Sequence, residues 1–320
     1  MRNHISAQKI VIIGPKTAIG QCILGQLAMH NVPVTLICPL DIHQEAGKSV
    51  YYANHYLLTQ AIDSFDFKAQ HIIFVCDKKI IPLLQRHKRN RRNWWIDCTH
   101  SITKAVCVIP NINGSILKSH PQWICNPCSN VIALTQVLNP ILYTYKVQSI
   151  QLVLLMGTLF QGQEATDIMI KQIRHCLIQT PLRNQKKYPQ FAFNLLPDYF
   201  ENFSKIMERQ LHCFIDLPIL TRTCFVLVVR GCCIHVQLEI NKNNSLTKLM
   251  QEWSSIPDIH VLQNKQPIGL NELISEEKIF ILQPVIQNKI LSFWCLQDIV
   301  QQGIGKNAAL LTQYIQKMKA

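Results

Sequence analysis

Residues 9–23, "KIVIIGPKTAIGQCI", decide the fold. The segment 9–13, apolar without a break from Ile10, predicts a strand buried on both faces, and the glycines at Gly14 and Gly20 predict a turn leading into the helical segment "QCILGQLAMH". Gly14 and Gly20 keep the outer spacing of G-x-x-G-x-x-G, with Thr17 in the middle place. Such a turn lets the backbone come close to phosphate oxygens at a helix N-terminus. The same spacing also serves a plain strand-to-helix turn in an open sheet, and the motif by itself is compatible with both readings.

Further along, strands are expected at 34–38, in "FDFKAQHIIFVCD" and in "NWWIDCTH", with a short helix at "IPLLQRH". Strands alternating with helices predict an α/β unit, a Rossmann-like doubly wound parallel sheet, over residues 1–130. After Asn139-Pro140 the pattern changes. "YKVQSIQLVLLMG", "RTCFVLVVRG" and "CIHVQLEI" are strand-like, and "QEATDIMIKQIRHCLIQ" and "SLTKLMQEWSS" are amphipathic helices. Residues 131–302 therefore read as an α+β, mixed-sheet domain, one face under helices and the other packed on the first domain or on a second subunit. The last helix, "NAALLTQYIQKMKA", is expected to return to the first domain, which then comprises 1–130 plus 303–320.

The chain has 320 residues, 48% of them hydrophobic, enough for two cores. Lys+Arg of 32 against Asp+Glu of 19 gives a formal charge of +13, which favours acidic or phosphorylated partners. The sharpest basic feature is the 78–92 segment, "KKIIPLLQRHKRNRR", whose Lys and Arg residues suit nucleic-acid phosphates, with Trp94 or Trp95 available to stack if exposed. No apolar run has the length of a membrane span, and the N-terminus lacks a signal-peptide pattern, so a soluble cytoplasmic protein is expected. The 13 cysteines lie mostly singly in apolar strings, as small buried hydrophobes do in a reducing compartment. Cys125 and Cys128 form a C-x-x-C, but no second ligand pair accompanies it, and no metal is expected. A redox role for this pair or for Cys232/Cys233 is a further reading.

Several separated segments, in order and spanning nearly the whole chain, resemble the aspartate-semialdehyde dehydrogenase family, in particular its divergent paralogues without the nucleophilic cysteine. The family's Gly-Ala-Thr-Gly-Ala-Val-Gly falls on Gly14 to Gly20, its Ser-Ala-Gly-Lys on Glu45-Ala46-Gly47-Lys48, and its Phe-Ser-Ala-Gly-Gly on Phe74-Val75-Cys76-Asp77-Lys78. The resemblance implies NADP as cofactor, with Gly14, Thr17, Ala18, Ile19, Gly20 and Cys76 beside its phosphates and Asn307 on the adenine side. Asp77 would set a negative charge against the pyrophosphate.

The same resemblance aligns Asn-Pro-Asn-Cys-Ser-Thr with Asn126 onward, without a gap as far as Leu138-Asn139-Pro140-Ile141. Ser129 then stands at the nucleophile position. Cys128 is one residue early, an offset of about 100° at a helix start, and reaches the cleft only if the register shifts. Thr103 replaces the arginine that holds the substrate's anionic end, with Lys104 next to it. Met156 falls at the substrate-side glutamine, Phe225 at a second arginine, and Cys232 at the general-base histidine. His235 lies three residues on, pointing to the other face of a strand.

The resemblance thus implies a dimer built on the second domain and an ancestral NADP-dependent phosphorylating reaction whose nucleophile, base and substrate grips are all replaced. The expected function is a dimeric binding or regulatory protein of this ancestry. The alternatives are a residual or altered NADP-dependent oxidoreductase acting on an aldehyde or acyl phosphate, and a nucleic-acid-binding protein using the basic 78–92 segment.

Overall fold

The computed structural model describes residues 8–84, 92–180, 187–241, 245–262, 268–273, 278–298 and 303–318. The chain divides into two compact units, Met1–Ile132 with Gly303–Ala320, and Ala133–Gln302.

The first unit is built on a seven-stranded sheet, in spatial order Gln60–Ala61, Ile37–Asp41, Ile10–Ile13, Ile72–Val75, Trp94–Asp97, Ile124–Cys125 and Val106–Cys107. All of its pairs are parallel. Its first strand is apolar at every position because both faces are covered. Ile10 and Ile12 pack with Leu24, Leu27, Leu311 and Ile315 on one side. Val11 and Ile13 pack with Phe67, Trp95 and Trp123 on the other. The C-terminal helix Ile304–Lys317 lies close against the first helix, Ala18–Met29: a Cβ on Gly305 would stand 2.7 Å from Cys22 Sγ.

Two local expectations are corrected here. The first helix begins at Ala18 because Thr17 caps it, its Oγ1 accepting from Gly20 N at 3.0 Å. The second strand begins at Ile37 and not Val34, since Val34–Leu36 forms a 3-10 turn after Pro33. Pro39 is accommodated in that strand for a geometric reason. The Leu40 carbonyl accepts from Gly14 N and so faces the first strand, which turns Pro39 to the opposite edge, where pairing starts only at Leu40.

The second unit carries a mixed seven-stranded sheet in the order Leu196–Pro197, Ile219–Phe225, Val147–Met156, Cys232–Ile240, Ile290–Gln297, Ile279–Gln287 and Ile259–Leu262. Alternation is strict along the inner parts of two of its long strands: Ile150, Leu152, Leu154 and Met156, and Cys232, Ile234, Val236 and Leu238, all point inward. Trp253, fully buried on the helix Leu246–Ser254, stacks edge-on against Phe293 and donates to the Val137 carbonyl at 2.9 Å. The opposite face is open, with Val153 39% and Leu220 55% exposed.

The strand expected through "RTCFVLVVRG" stops at Phe225. Beyond it the chain crosses over Gly157, where a Cβ would stand 2.3 Å from the Val228 carbonyl oxygen, and Val228 and Val229 accept from Thr158 N and Leu159 N.

Candidate functional site

The residues singled out from sequence fall on both units. In the first unit the glycine turn is tightly made. Gly14 has φ +78°, and a Cβ there would meet Asp77 Cβ at 2.9 Å; a Cβ on Gly20 would meet the Gly14 carbonyl at 2.4 Å. Thr17 Oγ1 also donates to the Gly14 carbonyl at 2.8 Å, so its hydroxyl is spent on the turn. Ala18 is exposed and Ile19 half-buried, while Cys76 is buried at the end of the strand beside the turn. Asp77 Oδ1 accepts from Lys79 N at 2.9 Å and caps the next turn.

Three carboxylates ring this turn. Asp41 ends the second strand, 8% exposed, with Oδ1 accepting from Ile42 N at 2.8 Å. Burial raises its pKa above the usual carboxylate value, and Glu45 and Asp77 add to the rise while Lys16 opposes it. Glu45 in turn holds Lys48 at 2.6 Å and Lys16 at 3.7 Å. The turn brings backbone close enough for a dinucleotide's pyrophosphate, and the carboxylates around it weigh against any phosphate beyond that pyrophosphate. Asp41 was missed by the sequence reading; an acid about 20 residues beyond the last glycine of such a turn is the signal that finds it.

Asn307 is 2% exposed, and its Nδ2 donates to the Val108 carbonyl at 3.0 Å and to Asn126 Oδ1 at 2.9 Å. Asn126 Nδ2 donates to the Ile304 carbonyl at 2.9 Å. This buried pair of amides pins the C-terminal helix to the segment that leads into Ser129.

Ser129 opens the helix Ser129–Thr144. Its Oγ accepts from Ile304 N at 3.3 Å, and it packs so closely on Gly303 that a Cβ there would lie 2.4 Å from both Ser129 Cβ and Oγ. The hydroxyl at the nucleophile position thus satisfies a backbone donor at the start of the C-terminal helix. Cys128 is 5% exposed. Burial pushes its thiol up to about 12, although the N–H groups of Val131 and Asn130 pull the other way. At the next strand, Asp97 is fully buried; it accepts from Thr99 N and Thr99 Oγ1 through Oδ1 and from Ile102 N through Oδ2. That arrangement leaves Thr103 and Lys104 exposed on the following turn. His100, which the sequence reading passed over, has Nε2 3.2 Å from the Asn126 carbonyl.

In the second unit Met156, Phe225 and Cys232 are each 0% exposed and share the sheet's inner face. Phe225 stacks in an aromatic group with Phe191, ring centroids 4.9 Å apart. His235 faces the other way, 2.9 Å from Ser292 Oγ and against the Trp294 ring, with its pKa lowered by burial. Next to Cys232, Arg230 holds the buried Asp298 through both of the latter's oxygens. Among the described residues, no three His, Cys, Asp or Glu side chains converge as metal ligands, and no helix is long and apolar enough to cross a membrane.

Of the basic segment, residues 85–91 lie outside the described residues; Lys78 and Lys79 are exposed. The condition for stacking by Trp94 and Trp95, exposure, is not met: both are 2% exposed, held in the fourth long strand of a sheet buried on both faces, Trp95 against Phe67 and Trp94 against His120.

No protein-family model matches the chain. It is 20% identical over 340 residues to an aspartate-semialdehyde dehydrogenase of Legionella pneumophila, covering 99% of this chain and 97% of the relative. It is 22% identical over 332 residues to a USG-1 protein homolog of Pseudomonas aeruginosa, covering 96% and 97%. Among solved structures, a probable aspartate-semialdehyde dehydrogenase from Pseudomonas aeruginosa superposes with a TM-score of 0.88 at 19% identity, covering 98% of this chain and 99% of that one. Aspartate semialdehyde dehydrogenase II from Vibrio cholerae gives 0.83 at 17% identity, covering 97% and 98%.

Proposed function

We propose that this chain, similar at low identity along nearly its whole length to aspartate-semialdehyde dehydrogenases, no longer performs their phosphorylating dehydrogenase reaction and acts in the cytoplasm as a homodimeric binding or regulatory protein. The observation that carries this is the hydroxyl of Ser129, engaged by Ile304 N and packed on Gly303.

A thioester route needs a thiolate, a base to move the proton, and cations for the substrate's charged ends. Cys128, the neighbouring thiol, is buried with a pKa near 12, so its thiolate is scarce at neutral pH. The positions of the base and of two substrate grips hold Cys232, Phe225 and Met156, all buried and none cationic. Removing nucleophile and base together takes away one transition state rather than two independent contributions.

NADP, the group the resemblance implies, would supply hydride transfer; the residues placed to hold a dinucleotide are Gly14, Thr17, Ala18, Ile19 and Gly20, by backbone contact at the helix start. The open sheet face, with Val153, Leu220 and half-buried Trp294, suits a second copy of the chain. A cavity of about 460 Å³ on that side of the second unit, lined by Leu155, Val226, Val228, Leu270, Trp294 and Leu296, is of a size for a small apolar ligand.

The test is steady-state turnover of aspartate semialdehyde with NADP and phosphate by purified protein, beside an active dehydrogenase. The proposal expects no rate above background; turnover on the order of 1 per second or faster refutes it.

A further inference from the structure

In dinucleotide folds the adenosine ribose lies over the end of the second strand, where an acidic residue accepts from its 2′-hydroxyl, while NADP-binding folds place a cation there for the 2′-phosphate. Here the second strand ends at Asp41, about 20 residues beyond Gly20. The residue is 8% exposed, Oδ1 is committed to Ile42 N, and Oδ2 takes no hydrogen bond among the described residues. The charged groups that act on it are Glu45, Asp77 and Lys16, the three that surround the glycine turn.

The two lysines beside the turn are already engaged. Lys48 and Lys16 both pair with Glu45. A phosphate arriving beside Asp41 would meet two carboxylates, at a place where desolvation makes like charge costly. A ribose hydroxyl would instead donate to Asp41 Oδ2 in a charge-assisted bond.

We infer that the cleft over the glycine turn takes a dinucleotide with an unphosphorylated adenosine ribose, NAD(H), in preference to NADP(H), with Asp41 the acceptor for the ribose hydroxyl and Glu45 the residue that withholds Lys16 and Lys48 from a 2′-phosphate. The selection is a matter of binding and is independent of the loss of chemistry proposed above; a turnover result in either direction leaves it standing.

The experiment is a titration of the full chain with NADH and, separately, NADPH, followed by nucleotide fluorescence and by calorimetry at one fixed ionic strength. NADH is expected to bind about tenfold or more tightly than NADPH, the discrimination one charge-assisted hydrogen bond gives. Glu45→Gln, at a half-buried side chain, frees both lysines and is expected to tighten NADPH several-fold with little change for NADH; Asp41→Asn is expected to weaken NADH. NADPH binding as tightly as NADH or tighter, or neither nucleotide binding at millimolar concentration, overturns the inference. An unchanged NADPH affinity in Glu45→Gln overturns the role given to Glu45.

Discussion

Replacing Gly303 by alanine tests the packing of the Ser129 position. Gly303 has φ +109° and ψ −116°, a backbone conformation that only glycine adopts readily. Forcing an alanine into it costs about 1–3 kcal/mol in backbone strain. The added Cβ would also lie 2.4 Å from Ser129 Cβ and Oγ and 2.5 Å from its Cα, so the helix start must shift. Overpacking of that kind costs about 1–3 kcal/mol more. Gly303→Ala is therefore expected to destabilise the first unit by about 2–6 kcal/mol, read as a fall in the urea midpoint at unchanged slope by circular dichroism. Gly25→Ala is the matched control. Gly25 lies inside the helix Ala18–Met29 with nothing within 4 Å of an added Cβ, so this change is expected to stabilise by about 0.5–1 kcal/mol. A Gly303→Ala protein within about 1 kcal/mol of the unaltered one would refute the close approach of Ser129 and the C-terminal helix.

Iodoacetamide at pH 7.5 is expected to label the exposed Cys213 and to leave Cys128 unmodified until urea unfolds the protein; rapid labelling of Cys128 in the native state, mapped by mass spectrometry, would contradict its burial. Asp41→Asn is expected to raise stability at pH 7. The folded-state pKa of Asp41 lies above its unfolded value near 3.8, so ionised Asp41 destabilises the fold at neutral pH, and the gain from Asn should shrink as pH falls through the folded pKa and vanish below 3.8. Parallel urea titrations at several pH values read this directly. Leu220→Glu, on the open sheet face, is expected to convert a dimer into a monomer by light scattering at micromolar concentration; a monomer before the change contradicts the proposed assembly.

Much of the fold was legible because its strongest patterns are local. Four consecutive apolar residues at Ile10–Ile13 can only be buried on both faces, and the stripe through Gln163–Leu177 has the helical period. What was not legible depends on partners distant in sequence. The shift of the second strand to Ile37 follows from its pairing with Ile10, and the end of the Ile219–Phe225 strand follows from the passage of Val228 across Gly157. At the site, sequence spacing located Ser129 at the start of its helix, but not that Ile304 N engages its hydroxyl. Thr17 read only as the middle residue of the glycine turn and proves to be the cap of the helix that follows, because a hydroxyl's value depends on the donor it meets. Asp41 was overlooked since its meaning lies in the strand end it occupies, not in its neighbours in sequence.

The measurement closest to the central claim is intact-protein mass spectrometry after incubation with aspartate semialdehyde, phosphate and NAD or NADP, followed by peptide mapping. The account predicts no acyl or hemiacetal adduct on Ser129 or Cys128 under conditions that load an active dehydrogenase. A stoichiometric adduct on either residue would contradict it.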